Sequence, residues 1–242
     1  MKRLVLLAFC LTFVGPGVVH AGGSTSVGTA QGGHLVNGFK LPQNNAWIRF
    51  YSKVEHRKSN FATLELAALL TRASKFVHRA VGGALLTIGD CSDEDGGDIR
   101  GHRSHNSGRD VDILFYMLDE RGRSVPARGF WKFDDQGIAK RGKRVYRFDT
   151  ERNWWMVRAL IASESPAVQY IFVSEPLREK LLSFAKKHGE AKEILRRARY
   201  ILMQPRDALP HDDHYHVRIF CSEEDRAHGC KDTGARWRWV KK

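Results

Sequence analysis

The sequence predicts an α+β domain in which a small, largely antiparallel sheet is flanked by helices and long loops. Three observations predict it. Short apolar runs are bounded by glycine, segments with a helical apolar face lie between them, and long polar stretches lack any period. The 242 residues suffice for one sizeable domain with its own core.

Residues 1–21 read as an export signal. Lys2 and Arg3 give a positive start, Leu4 to Val14 is apolar, and Val19-His20-Ala21 ends in a small residue suited to cleavage. The run falls short of the roughly 20 residues of a membrane span, and no later stretch is apolar enough for one. Cys10 is disfavoured as a lipid-attachment site, because bulky Phe9 precedes it and Leu11 to Val14 would remain on the mature end. The mature chain is expected to begin near Gly22 and to act in a periplasm or as a secreted protein. Gly22 to Gly33 is rich in Gly, Ser and Thr and is expected to be a flexible leader, with the folded domain spanning His34 to Lys242.

Pro42 and Asn44-Asn45 mark turns. Asn60 precedes a helix over Phe61 to Val81, whose apolar face starts with Leu64, Ala67, Ala68 and Leu70 and which Gly82-Gly83 ends. Ala84 to Ile88 reads as a buried strand, Cys91 to Asn106 as a polar loop, and Asp110 to Tyr116 as a strand. Leu118 to Arg147 is a long basic insertion with room for a hairpin. Arg152-Asn153 opens a helix over Trp154 to Ser163, and Val168 to Val173 forms the next strand. Ser174 caps a helix over Glu175 to Lys187, with Pro176 in the first turn, where its missing N–H costs nothing. Glu190 to Tyr200 is a further helix, and His214 to Phe220 is the last strand.

The formal charge is +13, and removing Lys2 and Arg3 with the signal leaves +11. Outside the cytoplasm such a balance suits acidic lipid or anionic wall polymer better than nucleic acid. In an oxidising compartment Cys221 and Cys230, which close the polar loop Ser222 to Gly229, are the natural disulfide. Cys91 is then left over, either as a buried thiol or as a sign that the pairing differs.

Five of the eleven histidines fall in two segments, Gly101 to Ile113 and His211 to Cys221. His214 and His216 stand two apart on a strand, so both imidazoles share a face. His105 lies in a loop and Asp112 on the strand after it, with Asn106-Ser107-Gly108 able to turn the chain between them. Two neutral imidazoles and one carboxylate, with a fourth position open to water, form the ligand set of a catalytic zinc, whereas a structural site is normally closed by four protein ligands. Asp110 shares the strand face of Asp112. It is read first as an ordinary solvated or loop-capping carboxylate, and second as a group orienting a ligand imidazole. Arg218 shares the face of His214 and His216 and, as a strand-end arginine, is given no role.

The two segments resemble the signatures of the penicillin-insensitive murein endopeptidases. These belong to the wider group of zinc peptidases that includes lysostaphin, D-Ala-D-Ala dipeptidase and the hedgehog fold. That group is marked by a His, six intervening residues and an Asp, then a later His-x-His, matched here by His105 to Asp112 and His214-Tyr215-His216. The closer pattern adds a His three before each, matched by His102 and His211, and continues to Cys221, where the family has a short disulfide loop. Weaker similarity at Arg152-Asn153-Trp154 and Ile171-Phe172-Val173 extends the resemblance over most of the mature chain.

The resemblance implies metal ligands His105, Asp112 and His216 for one Zn2+ per chain. It makes His211 and His214 catalytic residues and His102 a possible further active-site residue. It also implies a D-amino-acid peptide crosslink of peptidoglycan as substrate. Some relatives use a Glu as base near the His-x-His, but only His211, Asp212, Asp213 and His214 stand there in this chain. The insertion holds no histidine, so a second metal is not expected. Two competing readings are a zinc D,D-carboxypeptidase or dipeptidase acting on free peptide ends, and a non-catalytic binder of anionic wall polymer. A nuclease is set aside, since stacking platforms and phosphate loops are not evident.

Overall fold

The computed structural model describes residues 23–41, 45–83 and 85–240. The expected export signal, with Cys10, lies outside the described residues. The chain opens with a hairpin of β1 (Thr25–Gly28) and β2 (Gly33–Val36), then the short strands β3 (Phe39–Lys40) and β4 (Ile48–Phe50). Helix α1 (Ser52–Arg57) and strand β5 (Phe61–Ala62) lead into the long helix α2 (Leu64–Val81) and strand β6 (Leu86–Ile88). Past a long loop come β7 (Asp110–Leu114), β8 (Met117–Leu118), β9 (Ser124–Val125), β10 (Ile138–Arg141) and β11 (Arg144–Phe148). Then follow α3 (Thr150–Ile161), β12 (Val168–Phe172), α4 (Glu175–Lys187) and α5 (Lys192–Ile201). Strands β13 (Leu202–Met203) and β14 (His214–Ile219) and helix α6 (Glu223–Ala227) complete the order.

The architecture is α+β. The main sheet has six strands in the order β13-β12-β14-β7-β6-β4. Its inner pairings, β12 with β14, β14 with β7 and β7 with β6, are antiparallel, while the outer pairings are parallel. Along β7 and β14 the side chains alternate, as the pleat dictates. Val111, Ile113, Tyr215, Val217 and Ile219 enter one apolar core with Leu66 and Leu70 of α2 and Val157 and Leu160 of α3. Burial of each such large side chain contributes about 1.5–3 kcal/mol. The alternate positions, Asp110, Asp112, His214, His216 and Arg218, fall on the opposite face.

Several boundaries differ from expectation for physical reasons. Helix α2 begins at Leu64 because Phe61–Ala62 pairs with β3, and the Thr63 hydroxyl accepts from Leu66 N as the cap. Helix α3 begins at Thr150, four residues early, because the Asp149 carboxylate caps it by accepting from Arg152 N at 3.2 Å. Arg152 also donates to Val81 O and Gly82 O, tying the two helix ends together. Ser174 stands at the start of α4 but makes no side-chain cap bond; Glu175 N donates instead to Gln204 Oε1. The insertion folds on the hairpin β10–β11, and buried Trp131 and Phe133 join the core.

The segment expected as a flexible leader is instead the hairpin β1–β2, packed into the domain. Its composition suits a linker, but its partners lie far along the chain. Ser26 N donates to Asp225 Oδ1, Gly28 N to Gly229 O, and Lys231 N to Gly28 O. The Cys221–Cys230 disulfide, which spans α6, holds together the loop that receives it. Cys91 is a buried thiol. Arg109 is 1% exposed and joins the two ends of the described chain. It donates to Ser26 Oγ, Ile219 O, Lys231 O and Asp232 Oδ1.

Replacing Arg109 with methionine keeps much of the volume and removes all four of these hydrogen bonds, including the one to buried Ile219 O. The expected loss of stability is about 3 kcal/mol in urea denaturation. A loss under about 1 kcal/mol would show that the guanidinium does not join the ends.

Candidate functional site

The site lies on the polar face of β7 and β14, where the antiparallel register places His216 opposite Asp112 and Arg218 opposite Asp110. Gly89 lies against this pair, and a Cβ there would come within 3.1 Å of Asp112 Cβ and 3.0 Å of the Phe130 ring. Glycine at 89 therefore lets the end of β6 approach Asp112 closely.

His105 reaches the strands from the loop between β6 and β7. Its backbone is left-handed, at φ 81°, which is uncommon for a residue with a Cβ and marks a position held by its surroundings. The Ser92 hydroxyl donates to His105 O and accepts from Gly108 N. Asn106 N donates to Ala30 O in the turn of the β1–β2 hairpin. The N-terminal hairpin thus holds the loop that presents His105.

Three side-chain atoms converge. His105 Nε2 lies 3.2 Å from His216 Nδ1 and 3.4 Å from Asp112 Oδ1, and His216 Nδ1 lies 3.2 Å from Asp112 Oδ1. Nitrogen and oxygen ligands placed tetrahedrally about 2.05 Å from zinc would stand about 3.3 Å apart. His105, Asp112 and His216 are buried, and neither Asp112 oxygen has a hydrogen-bond donor among the described residues. An overlapping group, His102, His105 and Asp112, brings one donor atom from each within 4.8 Å. It is looser, because His102 Nδ1 stands 3.8 Å from Asp112 Oδ2 while its Nε2 turns to Asp90 Oδ2 at 3.3 Å. All three distances in the tighter set lie near that spacing, and the His102–Asp112 distance of 3.8 Å exceeds it.

Asp110 is not a solvated carboxylate. It is fully buried, and its Oδ1 accepts from His216 Nε2 at 2.8 Å and Arg218 Nε at 2.7 Å. The bond at Nε2 turns Nδ1 of His216 toward Asp112 and His105, the arrangement that orients a ligand imidazole. Arg218 is correspondingly 3% exposed rather than a strand-end arginine in solvent.

The other histidines stand around the triad. His214 Nε2 lies 3.5 Å from Asp112 Oδ1, and its Nδ1 bonds Asp213 at 2.5 Å. The His211 ring is 5.1 Å from that of His214 and 5.9 Å from that of His216. Phe130 meets His214 edge-on at 5.2 Å, and Phe172 stacks on His216 at 5.3 Å. Asp90, Phe130 and Phe172 went unrecognised as site residues in the sequence. Asp90 also binds Ser59 and Arg57, and only the folded chain brings these groups together.

Charge separates the roles. Burial pushes the Asp110 and Asp112 carboxyls up, but Arg218 and His216 beside Asp110, and His214 and His105 beside Asp112, hold both below the usual range. Burial opposes a charge on His216, yet the Asp110 and Asp112 carboxylates beside it raise its pKa to about 9. Burial lowers His105. Burial, then His214 and His216, brings His211 down to about 4. His214 is raised: burial opposes this, but Asp112 and Asp213 outweigh it.

An α+β domain with a buried histidine–carboxylate cluster on its central strands defines a peptidase here, for residues 26–236 match the sequence model of the penicillin-insensitive murein endopeptidases. The chain belongs to that family. Proteins of that name from Klebsiella pneumoniae (strain 342) and a second strain of the species are each 28% identical to it over 205 residues, covering 83% of this chain and 68% of theirs.

The two depressed carboxyls stabilise the metal-free fold above about pH 4, and that contribution is lost as pH falls. The raised imidazole of His216 contributes below about pH 6.5, and this is lost as pH rises through about 9. The lowered imidazoles of His105 and His211 act the other way, costing stability as pH falls below about 6.5, so chelator-treated protein should have its highest urea midpoint at about pH 6.5. Asp110→Asn should lower and flatten that profile; a variant as pH-sensitive as the parent would contradict the assignment.

Proposed function

We propose that the chain is a zinc-dependent murein endopeptidase that binds one Zn2+ through His105, Asp112 and His216. Its substrate is a D-amino-acid peptide crosslink of peptidoglycan, of the D-alanyl-diaminopimelate type. The observation that carries the metal is the convergence of His105 Nε2, Asp112 Oδ1 and His216 Nδ1 at 3.2–3.4 Å, where the Asp112 oxygens lack donors. Bound there, zinc would supply Lewis acidity toward a carbonyl and a water acidic enough to ionise near neutral pH.

The chain's own side chains account for the proton traffic. His211 is neutral across the working range, so its ring can accept a proton from the attacking water. His214, held by Asp213 and favoured in its charged form, can donate toward the developing oxyanion or the leaving amine. Asp110 keeps His216 in one ring orientation through the reaction. Phe130 and Phe172 wall the site on two sides and limit competing water.

The family supports murein as substrate, and the Cys221–Cys230 disulfide suits export to the oxidising compartment where murein lies. The signal read in residues 1–21 would deliver the chain there. No helix among the described residues is long and apolar enough to cross a membrane. A carboxypeptidase needs a cation to grip a terminal carboxylate. Arg218, the arginine on the site's own face, is occupied by Asp110, which favours the endopeptidase.

Metal analysis should give one zinc per chain, and purified crosslinked muropeptide dimers should turn to monomers. His216→Ala should lose zinc and reduce turnover by more than about a hundredfold while its circular dichroism stays that of the parent; Asp110→Asn should lose about ten- to a hundredfold. Release of terminal D-alanine alone would make the protein a carboxypeptidase. Absence of zinc, with no hydrolysis, would leave a binder of wall polymer.

A further inference from the structure

A row of aromatic rings leads out of the site along β12 to the C-terminal segment. Phe172 stacks on His216 at 5.3 Å and on Tyr170 at 5.4 Å, with interplanar angles of 23° and 19°. Tyr170 meets Trp237 at 5.8 Å, and Trp237 stacks on Trp239 at 5.7 Å. Tyr200, on the last turn of α5, lies 6.0 Å from Trp237 and 5.9 Å from Trp239 and is 53% exposed.

The row is fixed in place. Trp237 Nε1 donates to Gln169 O, and Ala235 N donates to the Tyr170 hydroxyl. Gly234 lets the backbone come so close that a Cβ there would meet that hydroxyl at 2.2 Å. Arg196 and Arg197, both paired with Glu193, lie over Trp239 at 5.5 and 5.7 Å, and exposed Arg199 and Arg238 adjoin Tyr200 and the two tryptophans in sequence, giving the row a basic margin. Trp237 and Trp239 pack partly against the core, whereas Tyr200 is among the few large hydrophobic side chains left exposed among the described residues.

From this continuity we infer that the row is a subsite for the sugar chain of the wall polymer, the glycan strand from which the crosslinked peptides branch. The inference rests on the murein peptidase reading and extends it. Pyranose rings present flat faces of C–H bonds, and the negative faces of Phe, Tyr and Trp rings attract their positive hydrogens. An extended peptide would instead call for pockets at alternate side chains and an open strand edge. The basic margin suits a strand whose stem peptides carry carboxylates. Binding energy from this remote contact would hold the strand while a crosslink enters between Phe172 and Phe130.

The test uses the full-length mature protein and the variants Tyr200→Ala, Tyr200→Phe and Trp239→Ala. Two readouts are cosedimentation with peptide-free glycan strands, and kcat and KM on intact sacculi compared with a sugar-free crosslinked peptide dimer. Tyr200→Ala and Trp239→Ala should weaken glycan binding and raise KM on sacculi by about threefold to tenfold, with kcat and turnover of the sugar-free dimer unchanged. Tyr200→Phe, which keeps the ring, should restore both. Glycan binding unchanged in both alanine variants would overturn the inference, as would binding that moderate salt alone abolishes, since charge would then be the whole interaction. If the parent protein cleaves neither substrate, the peptidase reading fails, while the cosedimentation arm still decides this one.

Discussion

The pairing of β14 with β7 is the constraint from which the rest of the site follows. Its register sets His216 against Asp112 and Arg218 against Asp110, and the pleat sends all four side chains to one face while Val111, Ile113, Tyr215 and Val217 enter the core. A slip of one residue would exchange the faces, placing two carboxylates in the core and the apolar set in the cleft. The register is thus enforced by the same alternation that builds the interior. Asp110 adds a second lock. One buried oxygen receives both an imidazole and a guanidinium, so strand and ring orientation are settled together.

The third member of the triad comes from elsewhere and is held by different means. His105 sits on a loop with a left-handed backbone, and the local chain gives it no sheet to rest on. Ser92 closes the loop from within, and the turn of the β1–β2 hairpin braces it from outside. That hairpin in turn rests on Asp225 and Gly229, inside the loop closed by the Cys221–Cys230 bridge, and on Arg109. Both ends of the described chain therefore support one imidazole. This gives the disulfide loop a part in positioning chemistry that it does not touch.

Local patterns made the strand half of the site legible. The spacing of His214 and His216 means one face wherever the strand lies, and the apolar alternation at Val111 and Ile113 marks the strand that carries Asp112. The roles of Asp110 and Arg218 are not legible locally, because they depend on cross-strand register between residues 108 apart, which no local window contains. The N-terminal hairpin is hidden for a related reason. Gly, Ser and Thr suit a linker or a strap equally, and only the distant Asp225 and Arg109 decide between them. Most helices were placed within a few residues, and the shifted starts at Leu64 and Thr150 follow from caps at Thr63 and Asp149. The insertion could not be resolved, since its buried Trp131 and Phe133 lie in a stretch whose charges mask any period.

The most direct test of the central claim is the position of the metal itself. An anomalous difference map collected at the zinc absorption edge from crystals of the zinc-loaded protein should show one peak per chain. That peak should stand about 2.0–2.2 Å from His105 Nε2, Asp112 Oδ1 and His216 Nδ1. A peak bound instead by His102 and Asp90, or zinc scattered over surface sites with none between β7 and β14, would contradict the account.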